Sequence, residues 1–358
     1  VLRNLNAQLP PRTGCPGKVT TPQQHSGSWL IGGAGRSGKT TLANVLAANS
    51  RSVAGFPLEG VFHVYLQRRF PFFRHQRRRL MHEYLTRPRY MDAARTRVEY
   101  PLDYFDADAE SLVGELPETI DNPIALFGWL LDRYAASMDR QSWAVFDLLP
   151  ELRYTTYRHL IPGVRLAVMR RDPEEAIAEG LFWRSYPDPP VDRERRFKSM
   201  LFQWFLSTAV TRSLSTRFGD DAISFSFNKL LAADENEQHR LAKTFDMDHA
   251  AIRDAFAFEP QFGFEKDKGF RGPDGVWRNL LTDRELEHIA AAMRGQALYR
   301  DVRILLAMAP HMPTMARSTG DFIMYPGTNA TRRVNALRQR AKDAVAGIRA
   351  AVGAEAGR

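Results

Sequence analysis

Nine consecutive residues, Gly33-Ala34-Gly35-Arg36-Ser37-Gly38-Lys39-Thr40-Thr41, concentrate the chemistry of this 358-residue chain. The first eight fit G-x-x-x-x-G-K-[ST] without a mismatch, which chance supplies in roughly one chain in a hundred of this length. Glycines let successive backbone N–H groups converge on an anion, and the start of a following helix adds partial positive charge. Arg36 and Lys39 add two full charges, and Ser37, Thr40 and Thr41 add hydroxyls. Such a loop binds phosphate. In nucleoside-triphosphate enzymes its lysine reaches the β and γ phosphates and its threonine, here Thr40, helps hold Mg²⁺. Two other charged positions follow apolar runs: Asp147 ends "WAVFD", and Arg170 and Arg171 end "VRLAVMRR". An acid in Asp147's place is where a Mg²⁺-organising carboxylate sits in phosphoryl transfer.

These residues need a frame that brings them together. Trp29-Leu30-Ile31 reads as a buried strand before the loop, and residues 40–49 have helical composition after it. A second short strand falls in "VAGFPLEG". Asn122-Pro123 caps and opens a helix through 138, and residues 143–147 and 164–169 are buried-strand candidates. Asp172, Pro173 and the acids Glu174 and Glu175 mark the start of a helix after Arg171. A longer helix follows over 193–217, then an alternating strand over 222–227. Strands alternating with helices predict an α/β fold with a doubly wound parallel sheet flanked by helices. In such sheets ligands sit at the carboxyl ends of the strands, so the loop, Asp147 and Arg170/Arg171 are expected on one edge.

We divide the chain into a flexible arm over 1–28, a transferase domain over 29–327 and an amphipathic C-terminal helix over 328–358. The segment 60–122 is a helical and irregular acceptor-binding insertion. The net charge of +9 is uneven: residues 68–97 hold ten arginines against Glu83 and Asp92. Within it, "RRFPFFRHQRRRL" interleaves phenylalanine and arginine over 68–79, which suits a small-molecule, glycan or lipid-linked acceptor of acidic or sugar-like character, or else a solvated helix face. No nucleic-acid motif accompanies it, so nucleic acid is not an expected partner. The C-terminal helix offers a thin alanine-rich face for docking on this chain or a second copy. The single cysteine, Cys15, excludes an internal disulfide framework. With no apolar span and no secretory pattern at the start, the expected location is cytoplasmic, with peripheral membrane association the alternative.

Four stretches carry a family resemblance, one of them "FGDDAISFSFNKLLAADENEQHRLAKTF", which resembles a strand, short helix and cap of the sulfotransferase family. "PGVRLAVMRRDPEEAIAEGLFWR" resembles the nucleotide-binding segment of sulfotransferases. "GFRGPDGVWRNLLTDRELEHI" resembles that family's late glycine loop and Thr-capped helix, and "GRSGKTT" is similar to its Arg-Ser-Gly-Thr-Thr loop. The resemblance runs from about residue 29 to 290 and is loosest over 60–122. It implies a sulfotransferase-like fold and transfer of a sulfuryl group from 3′-phosphoadenosine 5′-phosphosulfate (PAPS) to a hydroxyl or amine, leaving adenosine 3′,5′-bisphosphate (PAP), without a metal. Carried over by residue, Arg36 touches the sulfuryl group, with Gly33, Gly35 and Ser37 to Thr41 around the 5′-phosphate. Arg171 holds the 3′-phosphate, Arg271 and Gly272 close over it, and Trp277 anchors the core. Glu59 stands where some members place a catalytic glutamate that takes the acceptor's proton.

Three residues depart from the family pattern. Lys39 replaces a threonine, Glu179 replaces the serine eight positions after the strand-end arginine, and Asp147 follows an apolar strand. Together they suit a kinase that uses ATP or GTP with Mg²⁺, Thr40 and Asp147 serving the metal. Each also has a plainer reading: Lys39 as one more cation on the 5′-phosphate, Glu179 facing solvent, Asp147 as a helix cap. A nucleotide-regulated binding protein is the third alternative.

Overall fold

The computed structural model describes residues 27–60, 73–90, 98–182, 192–257 and 280–298. The first half runs β1 (Trp29–Gly32), α1 (Lys39–Asn49), β2 (Val53–Phe56), α2 (Phe73–Leu85), β3 (Arg89–Tyr90), β4 (Val98–Glu99), α3 (Ala109–Gly114) and α4 (Pro123–Ser137). It continues through β5 (Ser142–Phe146), α5 (Tyr154–Leu160), β6 (Arg165–Arg170), α6 (Pro173–Phe182) and α7 (Arg193–Phe218). Last come β7 (Ala222–Ser226), α8 (Phe227–Leu231), α9 (Glu235–Phe245), α10 (His249–Ala257) and α11 (Asp283–Leu298). The expected arm except Gly27 and Ser28, the loop with Arg271, Gly272 and Trp277, and the C-terminal helix lie outside the described residues.

Five strands form one sheet in the order β2-β5-β1-β6-β7, and each adjacent pair is parallel. Strands buried on both sides must be apolar throughout, which is why they read as short unbroken runs. Alternate residues separate cleanly. Leu30, Phe56, Trp143, Val145 and Val168 enter one core with residues of α2, α4 and α7. Trp29, Ile31, Phe146, Ala167 and Phe225 enter the other, beneath α1, α9 and α10. Helices cover both faces, as the alternating pattern requires.

Chain connections leave central β1 towards β2 on one side and later cross to β6 on the other. The carboxyl end of β1 is therefore the point from which loops diverge, and a crevice forms there. The Asp147 N–H donates to the Ile31 carbonyl at 3.1 Å and the Gly60 N–H to the Phe146 carbonyl at 2.7 Å, fastening the ends of three strands together.

Local signals act as their chemistry dictates. Asn122 accepts a hydrogen bond from the Ala125 N–H at 2.8 Å and starts α4 before Pro123. The strand expected to reach Phe227 stops at Ser226, because the Ser226 hydroxyl accepts from the Lys229 N–H and caps α8. Between residues 60 and 122, where a helical and irregular insertion was expected, lie α2, an antiparallel β3–β4 pair and α3. Leu80, Met81, Tyr84 and Leu85 of α2 are buried in the same core as β1 and β2. Arg78 and Arg79 face solvent, while Arg77 donates to the Glu118 carbonyl at 2.9 Å. Among the described residues no helix is long and apolar enough to cross a membrane.

Candidate functional site

The loop after β1 is built around positions that only glycine fills without strain. Gly33 has φ +126°, and a Cβ there would lie 2.3 Å from the Met169 carbonyl oxygen and 2.5 Å from Ser37 Oγ. At Gly38, with φ +94°, a Cβ would meet the Phe227 ring at 2.4 Å. Gly38 is the N-cap of α1, and no side chain caps the helix's first N–H groups. Those donors lack intrahelical partners by the geometry of any helix start. The Ser37 hydroxyl, in a residue only 2% exposed, has no hydrogen-bond partner among the described residues. An orphaned buried hydroxyl beside uncapped N–H donors fits a phosphate group.

Lys39 turns back under this loop. Its Nζ donates to the Gly33 carbonyl at 2.7 Å, and the residue is 9% exposed. Burial pushes the ammonium below its ordinary value, against the opposing pull of Glu151, Glu59 and Asp147. Glu151 is itself fully enclosed: its Oε2 accepts from the Gly33 N–H at 3.2 Å, and its Oε1 accepts from the Ser207 hydroxyl of α7. Burial raises the Glu151 carboxyl above its ordinary value despite Ser207, Lys39 and the Gly33 N–H. Asp147 has no exposed surface, and its Oδ1 accepts from the Leu148 N–H at 2.8 Å. Burial, reinforced by Asp147, pushes the neighbouring Tyr157 phenol far above its usual range. Glu59 is half-buried just beyond β2.

Across the loop, Arg171 follows β6 and is held on several sides. Its Nε donates to Glu175 at 3.0 Å and its Nη1 to the Arg36 carbonyl at 3.1 Å, with a second Nη1 contact to Glu179. The guanidinium also lies 5.4 Å from the centre of the Phe227 ring, and the Trp204 indole N–H donates to the Arg171 carbonyl. Burial alone would lower Arg171, but Glu179 and Glu175 outweigh it and keep the guanidinium above its ordinary value. Glu179 also lies 3.9 Å from the Arg36 guanidinium, its side chain 7% exposed. Arg36 itself sits at φ +66°, a left-handed backbone uncommon outside glycine.

The structure thus brings Gly33, Gly35, Arg36, Ser37, Gly38, Lys39, Thr40, Thr41, Glu59, Asp147 and Arg171 to one edge of the sheet. Glu179 does not face solvent; it is buried between two arginines. Two residues at this edge escaped sequence reasoning. Glu151 contacts a residue 118 positions away, and its one signal is its place four residues beyond Asp147. Glu175 passed for an ordinary first-turn acid, although its spacing of four from Arg171 foretells the ion pair. Of the late segment, Thr282 and Glu285 form the expected cap: Glu285 N–H donates to Thr282 Oγ1 and Thr282 N–H to Glu285 Oε2. Glu285 is also gripped by both the Nε and Nη2 of Arg193, which fixes α11 to α7.

No protein-family model and no curated protein matches the sequence. Among solved structures, the chain is similar to the sulfotransferase domain of an olefin synthase from Synechococcus PCC 7002, at 12% identity and a TM-score of 0.47. That match covers 78% of this chain and 98% of the other. Sulfotransferase STF9 from Mycobacterium avium is 15% identical, with 75% and 76% covered and a TM-score of 0.38. A sulfotransferase domain from the curacin biosynthetic pathway is 14% identical, with 75% and 98% covered and a TM-score of 0.45. Likeness at this level concerns the course of the chain, and the chemistry has to come from the chain's own residues.

Proposed function

We propose that this chain is a nucleotide-dependent transferase that moves a sulfuryl group from PAPS to a hydroxyl or amine of an acidic, sugar-like or lipid-linked acceptor. The observation that carries the reading is the pair of cationic anchors on adjacent strands. Lys39 and the Gly33–Thr41 loop lie at the end of β1, and Arg171 lies at the end of β6, bonded to the loop through the Arg36 carbonyl. A nucleotide with phosphates at both its 5′ and 3′ positions calls for two such anchors. The resemblance of residues 162–184 and 269–289 to sulfotransferase segments supports the same donor.

PAPS supplies an activated sulfuryl group on a phosphate leaving group. The chain's part is electrostatic and positional. Uncapped N–H groups of α1 and the Ser37 hydroxyl hold the 5′-phosphate, Lys39 and Arg36 offset charge developing between donor and leaving group, and Glu59 accepts the proton of the acceptor. Gly33 and Gly38 let the backbone approach the phosphate closely. Arg171 takes the 3′-phosphate, with Arg271 and Gly272 as its further partners. The acceptor lies on the Glu59 side, towards segment 60–122 and its arginines.

One observation favours a second reading. Asp147 ends the strand beside β1 and acts electrostatically on Lys39, the arrangement of a Mg²⁺-organising acid in ATP- or GTP-dependent phosphoryl transfer. Among the described residues no three His, Cys, Asp or Glu side chains form a metal site. Mg²⁺ would therefore be held through nucleotide phosphates and Thr40, with Asp147 behind. Calorimetric titration separates the two. Metal-independent binding of PAP, stronger than that of ATP with Mg²⁺, supports sulfuryl transfer. Mg²⁺-dependent binding of ATP with PAP ignored overturns it in favour of the kinase.

A further inference from the structure

Glu179 presents a difficulty that the loop does not. It is a carboxylate on the second turn of α6, nearly excluded from water, placed between Arg36 of the loop and Arg171 beside it. Arg171 touches Glu179 and Glu175, and Arg36 lies 3.9 Å from Glu179. Two guanidinium groups thus face two carboxylates, and the charge of this subsite is already cancelled by the protein. A phosphate monoester carries about −1.5 to −2 charges near neutral pH. It cannot settle on Arg171 while Glu179 remains there, since like charges at contact distance repel strongly in a buried site.

We propose that Glu179 is a placeholder anion, occupying the Arg36–Arg171 subsite until a second phosphate of the nucleotide displaces it. The inference rests on the donor reading above. The two carboxylates do not have equal standing. Glu175 holds the Nε side of Arg171, where it can stay, whereas Glu179 takes the Nη1 that also supports the Arg36 carbonyl. Displacing Glu179 therefore also takes one acid away from the Arg36 guanidinium, on the loop that holds the group being transferred. A nucleotide without the second phosphate leaves Glu179 in place and Arg36 offset. The placeholder thereby makes the donor's 3′-phosphate a condition for readying the loop, a form of selection in which the correct ligand completes the site.

The test compares two nucleotides on three proteins by calorimetry. Adenosine 3′,5′-bisphosphate and adenosine 5′-monophosphate are titrated into wild type, Glu179→Gln and Glu179→Ser. The expected result is a gain of about tenfold or more for the bisphosphate in both variants, from removing a competing charge-assisted pair, with the monophosphate changed less than about threefold. Equal changes for both nucleotides, or a loss confined to the bisphosphate, overturn the placeholder while leaving the donor reading intact. If wild type and variants all ignore the bisphosphate and bind ATP with Mg²⁺, the donor reading fails and the placeholder with it. A wild-type measurement guards against variants that do not fold. The Arg171 side-chain N–H resonances, assigned by their absence in Arg171→Lys, should shift on adding the bisphosphate and stay unmoved with the monophosphate. Unmoved resonances with bound bisphosphate overturn the proposal.

Discussion

At the scale of single residues, the site is governed by how much charge it buries. Lys39 is the pivot, because its ammonium answers three carboxylates and supports the loop from beneath. Lys39→Ala is expected to lower the transfer rate by about 10²–10³-fold, the usual loss when one preorganised charge donor is removed. Single-turnover rates on protein shown to be folded would check this. A remaining rate near wild type would remove Lys39 from the chemistry. Glu151 has a different signature, carried by stability. Its native value lies above the ordinary 4.5, so between those two values the folded chain binds more protons than the unfolded chain. Stability from this group is complete below about pH 4.5 and is lost as pH rises through the native value. Urea unfolding from pH 4.5 upward should show that decline in wild type, and Glu151→Gln should flatten it. Lys39 acts in the opposite sense at the alkaline end. The unfolded chain holds more protons between its lowered native value and 10.5, so stability climbs as pH approaches 10.5.

At the scale of elements, the loop separates glycines that are needed for backbone shape from one that is not. Gly33→Ala and Gly38→Ala each force a side chain onto a left-handed backbone and into atoms 2.3–2.4 Å away. Strain of that kind costs about 1–3 kcal/mol before any clash is counted. Gly35→Ala meets the flexible end of Met200 at 3.2 Å and Gln203 Oε1 at an ordinary 3.7 Å, and should be tolerated. Thermal melts of the three variants, with nucleotide binding measured alongside, would check the order. A Gly35 variant as damaged as the other two would contradict this account of the loop. The same distinction explains what could be read from sequence. The strand–loop–helix unit is local, so pattern and spacing were sufficient to place Gly33–Thr41 and the start of α6. Over 68–79 a helix with a solvated arginine face was one of the readings, but the bounds of α2 and its buried side were not legible because that side meets a distant core while its arginines break the apolar pattern. The strand over 222–227 ran one residue long because the Ser226 cap reads like another alternating position.

At the scale of the whole molecule, the parallel sheet was legible because four of its strands are short, largely apolar runs and β7 alternates, all of them set between helices. The order β2-β5-β1-β6-β7 was not, since no local signal says which runs lie side by side. For the same reason Arg171 and Glu179 could be marked by their spacing of eight, but not the burial that turns them into a pair. The order has a consequence for how the protein is made. Gly33 turns against the Met169 carbonyl, its N–H is taken by Glu151 118 positions later, and the Arg36 carbonyl is held by Arg171 135 positions later. Synthesis proceeds from the N-terminus at about 5–20 residues per second. A chain that has emerged only as far as β5 therefore contains every letter of the phosphate motif but not the native cradle. That cradle is completed only when β6 lies beside β1 and α7 brings Ser207 to Glu151, so a nucleotide that binds the loop is expected to recognise a chain grown past α7 and not to help a shorter one to fold.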